Sequence, residues 1–288
     1  MDAGAADREE LERRIERETQ WRRVYVAGAC DAGKTHLALS VLRKLRVQGA
    51  AAYVDCDPGQ GSVGPPGTIG VTVWPEGREA AERAAARRLR FIGASTPSRA
   101  VARMLAGMHS LARAADELGA GRILFDSSGY ISGSGAEEFQ QAALEILRPD
   151  LLVWISSREG SPEPLAALLA RGAGHLEVIR RSPHATTRTA AERREARCSR
   201  LARAFREAVL RRFECDRVAV MGLQEAGEAR GRLVAFCNRD GFVETLGIAE
   251  SFDPVSSVLV ARTPALDPAL VSSVQFGVLR LDERGREL

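Results

Sequence analysis

The stretch GACDAGKT, residues 28–35, sets two glycines, a lysine and a hydroxyl at the spacing G-x-x-x-x-G-K-[ST]. Glycines at those positions let backbone N–H groups turn inward around phosphate oxygens. A helix starting after Gly33 would add the partial positive charge of its N-terminus. Lys34 would then reach the β- and γ-phosphates of a nucleoside triphosphate, and the Thr35 hydroxyl would be a ligand for Mg²⁺. A chance glycine turn is the plainer alternative. The context argues against it, because the apolar run RVYVAGA leads into the loop and a helical pattern over residues 34–48 leads out of it.

A second group of polar residues lies about twenty positions on, in VDCDPGQGSVGPPGTIG, residues 54–70. In a parallel sheet, ligands gather at the C-terminal ends of the strands. The strand AAYVDC would therefore deliver Asp55 and Asp57 to the rim that the glycine loop occupies. A carboxylate there can hold Mg²⁺ or take a proton from an attacking hydroxyl. Alternation along the strand turns one of the two toward the phosphates; a pair of turn-capping aspartates is the bland alternative. Residues 126–129, DSSG, follow another apolar strand and fit the D-x-x-G switch of GTPases. Guanine selection needs N/T-K-x-D after a later strand, and SSREG at 156–160 lacks it. NRDG at 238–241 falls in a β region and reads as a hairpin turn.

These residues need a scaffold. Short apolar strands alternate with helices from residue 23 onward, which predicts an α/β P-loop fold with a doubly wound parallel sheet. Strands are expected at RVYVAGA, AAYVDC, LRFIGAS, RILFDSSG and DLLVWISS, and helices over 34–48, 98–118 and 137–147. Near residue 213 the pattern changes to short strands joined by turn signals, which predicts a small C-terminal all-β domain. The expected organisation is a short N-terminal helix (1–22), a P-loop domain (23–212) and a β domain (213–288). Residues 180–212 hold eleven arginines against three glutamates, a local +8 in a chain of net charge +3. Such a block favours an anionic partner, or simply a solvated helix face. On that helix Leu201, Phe205 and Val209 recur every four residues and would form its packed side.

Hydrophobic residues make up 45% of the 288, enough for a substantial core. No apolar run approaches a membrane span, and the acid-rich N-terminus lacks a leader's apolar core. A cytoplasmic protein with no membrane partner is expected. The five cysteines are scattered, without a CxxC pair, so neither a disulfide framework nor a zinc site is indicated.

Four segments, GACDAGKTH, DCDPGQGSVGPPGTIG, FIGASTP and DSSGYISGSG, resemble in this order the polynucleotide 5′-hydroxyl kinase family. That family includes the kinase subunit of the eukaryotic pre-mRNA cleavage factor, the kinases of ribosomal RNA processing and archaeal polynucleotide kinases. The resemblance runs from about residue 23 to the C-terminus, and DxDxGQGSxxxPGTxG is far longer than the P-loop signature. It implies ATP and Mg²⁺ as cofactors. It also implies transfer of the γ-phosphate to the 5′-OH end of a nucleic acid, RNA ahead of DNA. Gly28, Ala29, Cys30, Asp31, Ala32, Gly33, Lys34, Thr35 and His36 become the nucleotide-binding residues. Lys34, Asp57 and two lid arginines, Arg188 and Arg193, become the catalytic ones. Thr35, Asp57 and Asp126 become the metal group, and Gln60, Ser95, Thr96 and Tyr130 the contacts to the strand. Tyr130 would stack on a base near the 5′ end, or else pack at the rim.

The chain departs from the family at three places. STPSRA puts Ala100 where eukaryotic members have an asparagine, leaving Arg99 as a replacement. His36 stands where many members have serine or threonine. About twenty residues precede the first strand, against an N-terminal β domain in eukaryotic members, which implies loose selection of the nucleotide base. Three other readings compete with the kinase: a nucleotide-gated RNA-binding or scaffold protein, a P-loop GTPase, and a small-molecule kinase.

Overall fold

The computed structural model describes residues 3–75, 86–156, 164–223 and 226–288. Helix α1 (Ala3–Arg17) precedes a seven-stranded sheet. The sheet's strands are β1 (Arg23–Gly28), β2 (Ala51–Cys56), β3 (Thr68–Trp74), β4 (Ala86–Phe91), β5 (Arg122–Ser127), β6 (Leu151–Ser156) and β7 (His175–Arg180). Helices α2 (Lys34–Leu45), α3 (Val101–Glu117), α4 (Ala136–Leu147) and α5 (Pro164–Leu169) connect them. The strand order is β4-β3-β2-β5-β1-β6-β7. Strands β2, β5, β1, β6 and β7 run parallel. Every residue of β2 and of β6 is buried, as expected for strands covered on both faces.

The α/β expectation holds, with two additions. Residues 68–74 follow the Gly/Pro loop as a further strand, antiparallel to β2, so the sheet is mixed. His175–Arg180 adds a parallel edge strand beside β6.

The second sheet contains β8 (Val209–Glu214), β9 (Ala219–Met221), β10 (Arg232–Cys237), β11 (Val243–Asp253), β12 (Val258–Thr263) and β13 (Ser273–Arg280), in the order β8-β12-β11-β10-β13-β9. All pairs are antiparallel except β9–β13. Helix α6 (Ala190–Ala204) starts with a capping box, in which Thr189 and Glu192 bond each other's backbone N–H. Leu201 and Phe205 pack with Phe91, Leu233, Ile248 and Leu279. Val209 does not continue that stripe. The helix ends at Ala204, and Val209 opens β8 opposite Thr263, half exposed. Strand pairing overrides the four-residue repeat there.

The chain divides into two compact units that do not follow its order. The first contains Met1–Asp57, Gly70–Arg88 and Met104–Arg188, and the second contains Pro58–Ile69, Leu89–Arg103 and Thr189–Leu288. No helix among the described residues is long and apolar enough to cross a membrane.

Candidate functional site

In the first unit, β1 ends at Gly28 and the chain turns through the loop into α2. Gly33 has φ 94°, a left-handed conformation that favours glycine, and it precedes α2 without a side-chain cap. The first amides of α2 therefore face outward with no side chain across them, as a phosphate cradle requires. Lys34 is 7% exposed and its Nζ donates to Ala29 O at 2.7 Å, folding the ammonium back over the loop. Arg8 of α1 donates to Gly33 O at 2.9 Å. His36 is exposed on the first turn of α2.

Directly beneath, β5 supplies Asp126. Its Oδ2 accepts from Thr35 Oγ1 at 2.5 Å and from Tyr53 OH at 2.7 Å. The residue is 3% exposed, and burial raises its pKa against the lowering effects of Thr35, Lys34 and Tyr53. Asp126 Oδ1 is buried with no hydrogen-bond partner, and so is Ser128 Oγ two residues on. Two orphaned oxygens at one strand end are unusual in a native fold and mark a place shaped for something else to bind. Asp55 on β2 stands in register with Asp126 and is 2% exposed. It accepts the backbone N–H of Asp57 at 3.1 Å. Asp57 itself follows the last residue of β2 and is partly exposed. The sequence pair thus separates into a buried acid that shapes the turn and an accessible one at the rim.

Arg188 is the last residue of this unit. Its Nη2 and Nε reach Asp31 Oδ1 at 2.7 and 3.0 Å, and its backbone N–H reaches Asp31 Oδ2 at 3.0 Å. One expected lid arginine is therefore tethered to the P-loop itself, at a residue with φ 57°. Gly129 packs against the other side of the loop. A Cβ there would lie 2.8 Å from Cys30 N and Cα and closer still to its sulfur. Tyr130 tilts onto Phe139, with ring centroids 5.8 Å apart, and donates its hydroxyl to Ser134 O. Buried Gln140 fixes that turn, accepting from Tyr25 OH and donating to Tyr130 O, both at 2.9 Å. Trp21 is packed, stacked on His175 at 5.7 Å. A cleft of about 340 Å³ adjoins the loop, lined by Arg8, Glu12, Ala32, Ile155, Ile179 and His184 among others.

The remaining expected residues lie in the second unit. Gln60 donates its amide to Arg193 O at 3.1 Å, which ties the Gly/Pro loop to the first turn of α6. Thr96 shares a hydrogen bond of 3.2 Å with Ser98, and Ser95 is partly buried beside it. The arginines of α6 are less free than their charge implies. Arg194 donates to Glu287 O, Arg197 pairs with the Glu287 carboxylate at 2.9 Å, and Arg200 donates to Gly64 O. Residues 157–163, where a guanine-selecting element would begin, lie outside the described residues.

Sequence reasoning passed over Tyr53, Gln140 and the Asp31–Arg188 pair. The first two read as ordinary core residues, and only tertiary placement brings the third together.

Residues 28–207 match the family described as mRNA cleavage and polyadenylation factor CLP1 P-loop. The chain belongs to this CLP1 P-loop family. A polyribonucleotide 5′-hydroxyl-kinase of Thermococcus kodakarensis is 30% identical over 204 residues, covering 68% of this chain and 55% of that protein. The chain thus spans about half the length of that relative. One from Pyrococcus horikoshii is 24% identical over 322 residues, covering 92% of this chain and 87% of the relative. The CLP1 P-loop fold is also seen in the solved structure of a wild-type Clp1p–Pcf11p complex. It superposes with a TM-score of 0.71 over 97% of this chain and 80% of that one, at 11% identity.

Proposed function

We propose that the protein is an ATP-dependent polynucleotide 5′-hydroxyl kinase acting on RNA, and secondarily on DNA. The observation that carries this reading is the arrangement at the ends of β1, β2 and β5. There an uncapped phosphate loop, the bond from exposed Thr35 to buried Asp126 and the rim carboxylate Asp57 belong to one unit. Family membership and the names of the relatives supply the substrate class.

In this reading the triphosphate lies along the loop from Gly28 to His36. Lys34 exchanges its bond to Ala29 O for the phosphate oxygens. The cleft beside Ala32 takes the nucleoside, with α1 as one wall. Hard oxygen donors fit Mg²⁺. Thr35 Oγ1 and the orphaned Asp126 Oδ1 offer such donors, and Asp57 adds a third. Bound there, the ion would neutralise developing phosphate charge. Asp57 orients the 5′-OH and takes its proton as the oxygen attacks the γ-phosphorus. The bond from that phosphorus to the β–γ bridging oxygen breaks and ADP leaves. Arg188, oriented by its pair with Asp31, covers the transferring group, joined by Arg193. Gln60, Ser95, Thr96 and Tyr130 hold the strand end. The kinase domain of 23–212 with its arginine-rich lid, the β domain of 213–288 and a cytoplasmic setting belong to the same reading.

The test is incubation of the purified protein with γ-labelled ATP, Mg²⁺ and single strands of RNA or DNA ending in 5′-OH or 5′-phosphate. Label on 5′-OH strands alone, lost in Lys34→Ala and Asp57→Asn, is the expected result. Nucleotide binding without transfer to any strand would overturn it in favour of a nucleotide-gated binding protein.

A further inference from the structure

Within the second unit, a pocket of about 500 Å³ opens beside the 3-10 turn at Pro97–Arg99 and the residues that follow it. Ile92, Phe276 and Val278 give it apolar walls. Arg99, Arg103 and Arg232 line it, with Glu228 as the one carboxylate, an excess of two positive charges.

Two of these arginines are held by backbone. Arg103 Nη1 donates to Phe276 O at 3.0 Å, and Arg232 Nε donates to Gly277 O at 2.6 Å. Carbonyls orient a guanidinium without neutralising it. Glu228 stands 3.4 Å from Arg232 Nη1 and is the only ion-pair partner of the three among the described residues. Burial and the neighbouring charge of Arg232 both lower the pKa of Arg103. The exposed side chain of Arg99 makes no hydrogen bond or ion pair among the described residues. Two fixed like charges and a third, free one, over an apolar floor, favour a bound anion. The planar fork of arginine matches the oxygens of a phosphate.

We propose that this pocket is a subsite for an internucleotide phosphate of the bound nucleic-acid strand. The proposal rests on the kinase reading for one thing, the position of the 5′ end at Ser95 and Thr96. Those residues lead directly into the turn that carries Arg99. A strand held at its end there has Arg99 and Arg103 next along the same segment. A free nucleotide offers the same phosphate chemistry, so the test separates the two.

A 3′-fluorescein-labelled 5′-OH octaribonucleotide is titrated by anisotropy against the wild-type protein, Arg99→Gln and Arg103→Gln over a range of salt. ATP binding is measured in parallel. The subsite predicts several-fold weaker octamer binding in both variants and a salt slope shallower by about 0.7 for each lost phosphate contact on a single strand. ATP affinity stays at the wild-type value. Arg99 contacts nothing that folding needs, so its variant guards against a loss that is merely structural. Wild-type octamer affinity and slope in both variants would overturn the proposal. So would a loss of ATP affinity with octamer binding intact, which makes the pocket a nucleotide site. Altered slopes in a protein that transfers no phosphate sink the kinase reading and leave the subsite standing. Transfer with unaltered slopes does the reverse.

Discussion

The two units carry their charge in opposite ways. In the first, the functional groups are short side chains at strand ends, and the backbone fixes where they point. Asp126 and Asp55 share a register across β5 and β2, and Lys34 and Thr35 open α2. In the second, the charge sits on long arginines, most of whose described contacts are backbone carbonyls and the C-terminal Glu287. Short groups on strand ends are positioned chemistry. Long groups on helices and sheet edges hold segments together and are available to extended anionic ligands. The difference implies that substitutions of the strand-end carboxylates in the first unit act on rate, and those of the carbonyl-bound arginines in the second on binding and stability.

The largest effect that could break this contrast is at the rim. Asp57→Asn should lower kcat by about 10²–10⁴, the range for a lost general base, with the melting temperature within a few degrees of wild type. A full-rate variant would remove Asp57 from the reaction. Gly129→Ala should come next. Its methyl would press on the backbone of Cys30, which cannot yield cheaply. A loss of about 1–3 kcal/mol in denaturant unfolding and a raised KM for ATP are expected. Asp31→Ala frees Arg188 from its ion pair, so kcat should fall by about tenfold with little change in stability, since the pair is partly exposed. In that background Arg188→Ala should cost less than it does alone, and a strictly additive double-mutant cycle would show the contact to be incidental. The smallest effect should be at Glu287→Ala. It releases Arg197, while Arg194 keeps its bond to the backbone oxygen of that residue, and should cost under about 1 kcal/mol. A larger loss would mean that the arginines of the second unit are as fixed as the carboxylates of the first.

A pH scan sharpens the contrast further. Burial raises the pKa of Asp126 in the folded protein. Its contribution to stability is therefore complete below the unfolded value of about 3.9 and is lost as pH rises through the folded value. The stability advantage of Asp126→Asn over the ligand-free wild type should grow as pH rises from about 4 toward neutrality. A gap that stays constant would contradict the buried, unsatisfied carboxylate.

What could be read from sequence follows the same division. The P-loop and the acids after β2 and β5 were legible because their geometry is local, set by glycine conformations and strand ends. Strand alternation does not separate Asp55 from Asp57, which are two apart; their roles differ because Asp57 lies past the end of β2. Strand β7 was not legible. Three of its six residues are polar or charged and it lies at a sheet edge, so no apolar run announces it. Strand β3 follows a Gly/Pro-rich stretch whose loop signals masked its start. Val209 was misread because a four-residue apolar repeat is helical only while the helix lasts. The arginine block showed its charge but not its partners, since a flexible side chain finds its acceptor only in the folded chain. Likewise nothing local marks residues 58–69 and 89–103 as companions of 189–288.

The two orphaned oxygens at the end of β5 bear on how this protein can be altered. Asp126 Oδ1 and Ser128 Oγ, buried without a hydrogen-bond partner, are a standing weakness in the fold. Any selection for heat resistance alone, in nature or in the laboratory, would be rewarded for replacing them with apolar or amide side chains. The same replacements would erase the floor of the proposed phosphate site. Retaining both residues while improving the fold therefore requires selection with the nucleotide present, so that robustness is scored on the loaded protein.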